Sequence, residues 1–431
     1  MPLSPHAPLT TPLPTPAATA AAAVPSARLD HLDAARAFAL VLGVVFHAAL
    51  SFSPLFMGWA VQDISTGAWI PVFLLVSHSF RMELFFLLAG FFSHGLLQRR
   101  GLAAFLRSRG VRLGVPFLAG WFLLRPLLVS GWLMGGASLR GDYDFWDSIR
   151  AGFASLQTLP AGLFTGSHLW FLYYLLLITG LALALRSAAQ GADQALGGRI
   201  LPRLLARLDA VVSRLARSRW VLPVLILPTA GALWGMQHWG MDTPDRSLRP
   251  DWPVLAVYGG FFAVGWLLSR QPQNLAVFER VTATRILLVV ASIVLVLRLG
   301  VFENDPGHPH HTAAHLAHSL GYAVMMWTLV LLTLGTFRKF FSRPRPAIRY
   351  LADSSYWMYL IHLPVVVWLQ VAVAEVPIHW LPKLVFVSVA TIGVALLTYD
   401  LFVRSTLLGQ LLNGRRRGRA VRLPRFTTRA D

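Results

Sequence analysis

The chain has 431 residues, of which 55% are hydrophobic and only 13% charged, with a mean hydropathy of +0.58. That composition leaves too little polar surface for a soluble globule of this length. The absence of cysteine excludes disulfides, thiolate metal sites and a cysteine nucleophile, and the net charge of +19 has to be read from its distribution along the chain.

Residues 1–29 are dominated by a Pro/Ala/Thr tract without a basic n-region or Leu-rich core, so they read as a disordered cytoplasmic leader rather than a cleaved signal. Ten apolar runs follow, at about 34–52, 69–97, 112–132, 162–185, 220–239, 252–269, 283–300, 313–335, 352–374 and 381–403. Their lengths match the roughly 20 residues that cross a bilayer as helix. The expected fold is an all-α integral membrane protein, a bundle of about ten transmembrane helices. Between the fourth and fifth runs, residues 187–219 interleave Leu201, Leu204, Leu205, Leu208, Val212 and Leu215 with arginines, the pattern of a helix lying on the membrane surface. The chain ends in a basic tail, 412–431. It shows no internal repeat, so an inverted-repeat transporter architecture gains no support.

The cations alternate by loop. Loops 53–68, 133–161, 240–251, 301–312 and 375–380 hold only Arg140, Arg150, Arg246 and Arg249, whereas the other loops and the tail carry runs of arginine. Such a bias orients a membrane protein, and it puts the Arg-rich loops and both termini in the cytoplasm. The positive charge is a topology signal, not a nucleic-acid footprint, and the tail would also favour anionic lipid.

Within the first run, Arg36 precedes His47 by eleven residues, three helical turns and about 16 Å along the axis, so both side chains share one face. Ionisable groups at bilayer depth are expensive and mark functional sites. The pair suggests a tunnel that holds an anionic group at one end and hosts the chemistry at the other. In the second run, His78 and Arg81 share a face while Glu83 points elsewhere, where an inter-helix pair with Arg125 is one possibility. Arg107, Arg109 and Arg112 lead into the third run and suit phosphate as well as topology. An interfacial aromatic belt accounts for Trp170, Tyr173 and Tyr174 but not for His168. In the ninth run His362 is deep, two residues before Pro364, which permits a kink. His308, His310, His311, His315 and His318 cluster before and within the eighth run without a recognisable metal-ligand spacing, and no metal is expected.

Five segments in this order, LDAARAFALVLGVVFH (32–47), FFLLAGFF (85–92), RSRGVRLGVPFL (107–118), HLWFL (168–172) and SSYWMYLIHLP (354–364), resemble the membrane-bound acyltransferase-3 family. The likeness runs from about Asp30 to Leu411. HSFRMELFFLLAGFFS (78–93) resembles, more narrowly, the glucan C-type branch, which succinylates osmoregulated periplasmic glucans. The resemblance implies a ten-helix acyltransferase domain, 30–411, in the bacterial inner membrane. It would pass an acyl group from cytosolic acyl-CoA, succinyl-CoA or acetyl-CoA, to a hydroxyl of a periplasmic glucan. It carries the family's essential histidine onto His47, its helix-one arginine onto Arg36 and its basic motif onto Arg109 and Arg112. The family's usual serine in the Phe-Phe-x-x-Ser-Gly-Phe pattern is replaced by Ala89, which favours direct transfer over an acyl-serine intermediate there.

The candidate site residues are then His47, Glu83 and His362 for catalysis, with His47 as general base, and Arg36, Arg107, Arg109 and Arg112 for the CoA phosphates. His78, Arg81, Arg125, His168 and Trp170 are candidates for substrate, with Arg81 and Arg125 suited to a succinyl carboxylate. Trp132, Trp239 and Trp252 offer further stacking surfaces for sugars. A transporter of an anionic or acylated sugar is the alternative reading. The acyl group, the glucan linkage and the oligomeric state are left open by the residues alone.

Overall fold

A computed structural model describes residues 29–138, 144–157, 167–414 and 416–419; the leader and the far part of the tail lie outside them. The described residues form helices α1 (Asp30–Ala49), α2 (Ile70–Arg109), α3 (Val115–Ser138), α4 (Phe145–Ala154), α5 (Trp170–Ala195), α6 (Ile200–Ala216) and α7 (Val221–Trp234). They continue as α8 (Trp252–Arg270), α9 (Leu275–Phe278), α10 (Ala283–Leu299), α11 (His311–Phe341), α12 (Pro346–Val373), α13 (Trp380–Thr398) and α14 (Leu407–Asn413). Among the described residues eight segments are long and apolar enough to cross a membrane, and each of the ten apolar runs overlaps a helix. The chain is a multi-pass membrane protein.

One of those eight segments, Ile70–Ala137, is 68 residues long. It departs from regular helix twice. Gly101 takes φ 74°, ψ 173°, and Gly110–Gly114 form a π-helical turn. The stretch between them was expected to be a loop. It folds instead as amphipathic helix because Phe105 is fully buried, packing with Leu97 and Leu183.

α1 is the hub, packed against α2, α11, α12 and α13. Its buried Ala34, Ala35, Ala37, Ala39, Gly43, Ala48 and Ala49 let those neighbours approach closely, the usual device for helix association in lipid. Its first turn is pinned by His31, whose Nε2 lies 2.6 Å from Glu279 Oε1, while Arg338 pairs with the other carboxylate oxygen. α2 crosses α8 at backbone contact. A Cβ on Gly90 would lie 2.0 Å from the Phe262 carbonyl oxygen, and one on Gly265 1.8 Å from that of Leu87. Only glycine fits at either place, so the Gly90 of the FFLLAGFF motif is a packing requirement.

The amphipathic stretch expected at 187–219 is helix: the end of α5, then α6. α6 is held to the end of α8 by Arg270, which donates to both Asp209 carboxylate oxygens at 2.8 and 2.7 Å. The loop between α1 and α2 is pinned by a buried ion pair, Lys383 Nζ to Asp63 Oδ1 at 2.8 Å and Oδ2 at 3.0 Å, between side chains only 3% and 1% exposed.

Candidate active site

Residues of α1, α2, α5 and α12, with α14 and the π-turn, enclose a cavity of about 510 Å3. It brings together Arg36, His47, His78, Arg81, Arg109, Arg112, His168, Trp170 and His362, nine of the residues singled out from the sequence. Glu83, Arg107 and Arg125 do not line it. Arg107 is exposed, on the other side of its helix from Arg109. Arg125 donates to Ser155 Oγ at 3.3 Å and lies over the Trp121 ring at 4.9 Å, so the Glu83–Arg125 pair does not form. Glu83 is fully buried, and among the described residues neither carboxylate oxygen meets a hydrogen-bonding side chain.

The arginines gather at one end. Arg36 donates to the Ala352 carbonyl and pairs with Asp33, both at 3.3 Å. Arg109 donates to Ser93 Oγ at 2.8 Å, and the Ser93 hydroxyl donates to the Ala89 carbonyl at 2.5 Å. The Arg112 carbonyl accepts from Tyr356. The π-turn follows Arg109 directly and carries Arg112, and it sets both guanidinium groups on the cavity wall. Asp353 and Asn413 complete this end.

Four histidines line the rest. Three have a nitrogen committed to a backbone carbonyl, which accepts only, so each commitment fixes a tautomer. His168 donates through Nε2 to Leu360 O at 3.0 Å, His362 through Nδ1 to Tyr359 O at 2.7 Å, and His78 through Nε2 to Met241 O at 3.0 Å. The Leu360 carbonyl is free for this because Pro364, four residues on, has no N–H to give it.

His47 is different. Among the described residues its side chain makes no hydrogen bond, and its buried Nδ1 has no partner. Its ring is held by stacking instead: Trp59 lies 5.6 Å away at 21°, and His362 5.3 Å away at 45°. Of the four, it is the imidazole with neither nitrogen committed among the described residues; each of the other three keeps only the lone pair of its second nitrogen. Arg81 sits beside it, its guanidinium 4.3 Å over the Phe46 ring and against Gly43, with Nη1 buried and unpartnered. Unpaired polar atoms this deep are costly, and a polar or anionic ligand would satisfy them.

Trp170 is buried and stacks on Tyr258 at 5.5 Å rather than standing in an interfacial belt. The histidines around α11 pack against aromatics: His315 lies between Trp234 at 4.2 Å and Trp239 at 4.8 Å. No group of three potential metal ligands occurs among the described residues. Sequence reasoning passed over Trp59 and Gln370, which contact His47, and Asn413 at the basic end. Gln370 had a visible signal, a lone amide in the apolar VVVWLQVAV.

Glucans biosynthesis protein C of Salmonella paratyphi A is 25% identical over 397 residues, covering 91% of this chain and 96% of its own. The proteins of the same name from Salmonella agona and Salmonella dublin match with the same identity and coverage. No solved structure matches. The family model described as an acyltransferase domain matches residues 29–400, and the chain accordingly belongs to the acyltransferase-3 family, the membrane-bound acyltransferases.

Proposed function

We propose that the protein transfers an acyl group, succinyl by preference over acetyl, from cytosolic acyl-CoA to a hydroxyl of a periplasmic glucan. The observation that carries this reading is the single cavity joining three arginines to the uncommitted His47. Arg36, Arg109 and Arg112 hold the CoA phosphates through charge-assisted bonds, and the pantetheine arm runs along α1 toward His47. The axial distance of about 16 Å suits that arm in extended form. The glucan acceptor is suggested by the printed name of the Salmonella relatives.

In the transfer, His47 accepts the proton of the acceptor hydroxyl as the oxygen attacks the thioester carbonyl. The C–S bond then breaks, an ester forms, and the thiolate leaves with the proton taken from His47. A positioned base contributes ~10²–10⁴-fold to such a step. Arg81 receives the distal carboxylate of a succinyl group, with His78 beside it. His168 and His362 wall the reacting centre, and Trp170 supplies a face of it. Glu83, buried behind the wall and two residues from Arg81 in sequence, acts only through Arg81 and touches no substrate. Ala89 offers no nucleophile, which favours direct transfer over an acyl-serine intermediate at that position.

The 68-residue segment is about 100 Å of helix, some three times the hydrocarbon thickness, so it accounts for two crossings, α2 and α3. With the shorter apolar α7, ten crossings result, within a 30–411 domain. Leader, tail and Arg-rich loops are cytoplasmic and the membrane is the bacterial inner membrane.

The test is mass spectrometry of periplasmic glucans from cells lacking the gene, complemented with wild type or His47→Ala. A succinyl or acetyl increment is expected with wild type alone. Normal modification by a well-expressed His47→Ala enzyme would remove His47 as the base. Glucans unchanged by wild type would remove glucan as the acceptor.

A further inference from the structure

α1 ends two residues after His47. The helix stops at Ala49, and a 3-10 turn, Leu50–Phe52, leads into the loop before α2. The last carbonyls of a helix have no intrahelical donors, and buried ones need a partner from elsewhere in the fold. A side chain 322 residues away in sequence supplies it. Gln370 Nε2 on α12 donates to the carbonyls of His47 at 2.9 Å and Ala48 at 3.0 Å.

The same amide has its third bond filled. Its Oε1 accepts from the Trp59 indole N–H at 2.9 Å. Two carbonyls require the NH2 and the indole requires the oxygen, so the amide orientation has one solution. Trp59 then lies against the His47 imidazole, centroids 5.6 Å apart at 21°. Gln370 is 1% exposed, and neither it nor Trp59 lines the cavity. His47, which has no hydrogen bond of its own to orient it, is therefore gripped at its backbone by Gln370 and on its ring by the residue Gln370 fixes.

We infer that Gln370 and Trp59 are positioning residues for His47, forming a clamp that sets the imidazole orientation without touching substrate. The clamp takes the place of the carboxylate or carbonyl that commonly orients a catalytic histidine through its second nitrogen. It leaves Nδ1 unbonded and the ring held by packing. This inference rests on His47 being the base, and the experiment separates the two.

The measurement is steady-state acyl transfer by the full chain in membranes, with acetyl-CoA and succinyl-CoA in turn as donors and extracted periplasmic glucan as acceptor. Gln370→Leu removes all three bonds, Gln370→Glu keeps the acceptor for Trp59, and Trp59→Phe keeps the stack without the N–H. Displacement of a catalytic group by about 1 Å costs ~10²-fold, so Gln370→Leu and Trp59→Leu are each expected to lower kcat by that order. Donor and acceptor KM should stay within about threefold, and Trp59→Phe should recover part of the loss, whereas Gln370→Glu, which sets carboxylate oxygens against the two carbonyls, should not. In the His47→Ala background, Gln370→Leu should cost nothing further.

A purely structural Gln370 would lower the amount of folded protein while leaving kcat per folded molecule unchanged, and that result overturns the inference. So does an undiminished Gln370→Leu effect on the residual activity of His47→Ala. Full activity of His47→Ala would instead end the reading of His47 as base, and the clamp with it.

Discussion

His168 donates to the one carbonyl of α12, that of Leu360, which Pro364 deprives of a helical partner. The two features that sequence reading treated apart, a buried histidine and a helix-interior proline, are one arrangement. It commits Nε2 to structure and leaves the imidazole as part of the cavity wall. His168→Ala should therefore cost about 1–3 kcal/mol, because it orphans a buried carbonyl. The double variant His168→Ala/Pro364→Ala restores an intrahelical donor and should recover most of that. Unfolding of the purified proteins in detergent measures the coupling; simple additivity would show that the two residues act separately.

The basic end makes a contrast between near neighbours. Arg109 and Arg112 line the cavity, whereas Arg107 is exposed away from it. Arg109→Ala or Arg112→Ala should raise the donor KM about tenfold or more, since a hydrogen bond to a charged group is worth about 1.5–3 kcal/mol. Arg107→Ala should leave it unchanged. Acyl-CoA titrations of the three variants, read as KM against kcat, decide this.

How far the site was legible follows from the distances in sequence. Arg36 and His47 share a helix, and three turns of regular geometry were enough to set them on one face. His78 and Arg81 followed by the same rule. The Arg107–Arg109 distinction was missed because 98–111 reads as a loop; once the stretch is helix, residues two apart fall on opposite sides, as Arg81 and Glu83 do. Gln370 with His47, Lys383 with Asp63 and His168 with Leu360 join residues about 190 to 320 positions apart. Periodicity within a run says nothing of which run lies beside it. The expected loop at 98–111 failed for a related reason: tertiary burial of Phe105 turned a short, charged stretch into helix.

The buried pair Asp63–Lys383 fixes the loop that carries Trp59. Removing one partner leaves a charge uncompensated in an apolar setting, a loss of about 3–5 kcal/mol. Asp63→Asn and Lys383→Met are each expected to lower the thermal midpoint sharply, and Asp63→Asn/Lys383→Met together to recover much of it. Equal stability of single and double variants would mean the pair is dispensable.

At the α2–α8 crossing, Gly265→Ala forces a methyl against a backbone carbonyl that cannot yield without parting the helices. A cost of about 3 kcal/mol, the upper part of the overpacking range, is expected. Gly259→Ala on the same helix has open space around it and should be tolerated. The yield and thermal midpoint of the two variants, compared side by side, test whether backbone contact holds α2 in place.

Gly414 offers a way to move Arg112 alone. It follows α14 with φ 74°, and a Cβ there would lie 1.9 Å from Arg112 Nη2. The obstructing atom is the tip of a flexible side chain, so Gly414→Ala should displace the guanidinium rather than unfold the bundle. Left-handed backbone costs a non-glycine residue roughly 1–2 kcal/mol, and α14 absorbs that locally. The donor KM should therefore rise about tenfold toward that of Arg112→Ala, with kcat near wild type, because His47 lies at the other end of the cavity. Combining the two substitutions should add nothing to Arg112→Ala alone. A Gly414→Ala enzyme with unchanged donor KM would show that the segment after α13 leaves the donor mouth alone, although Asn413 stands on its wall.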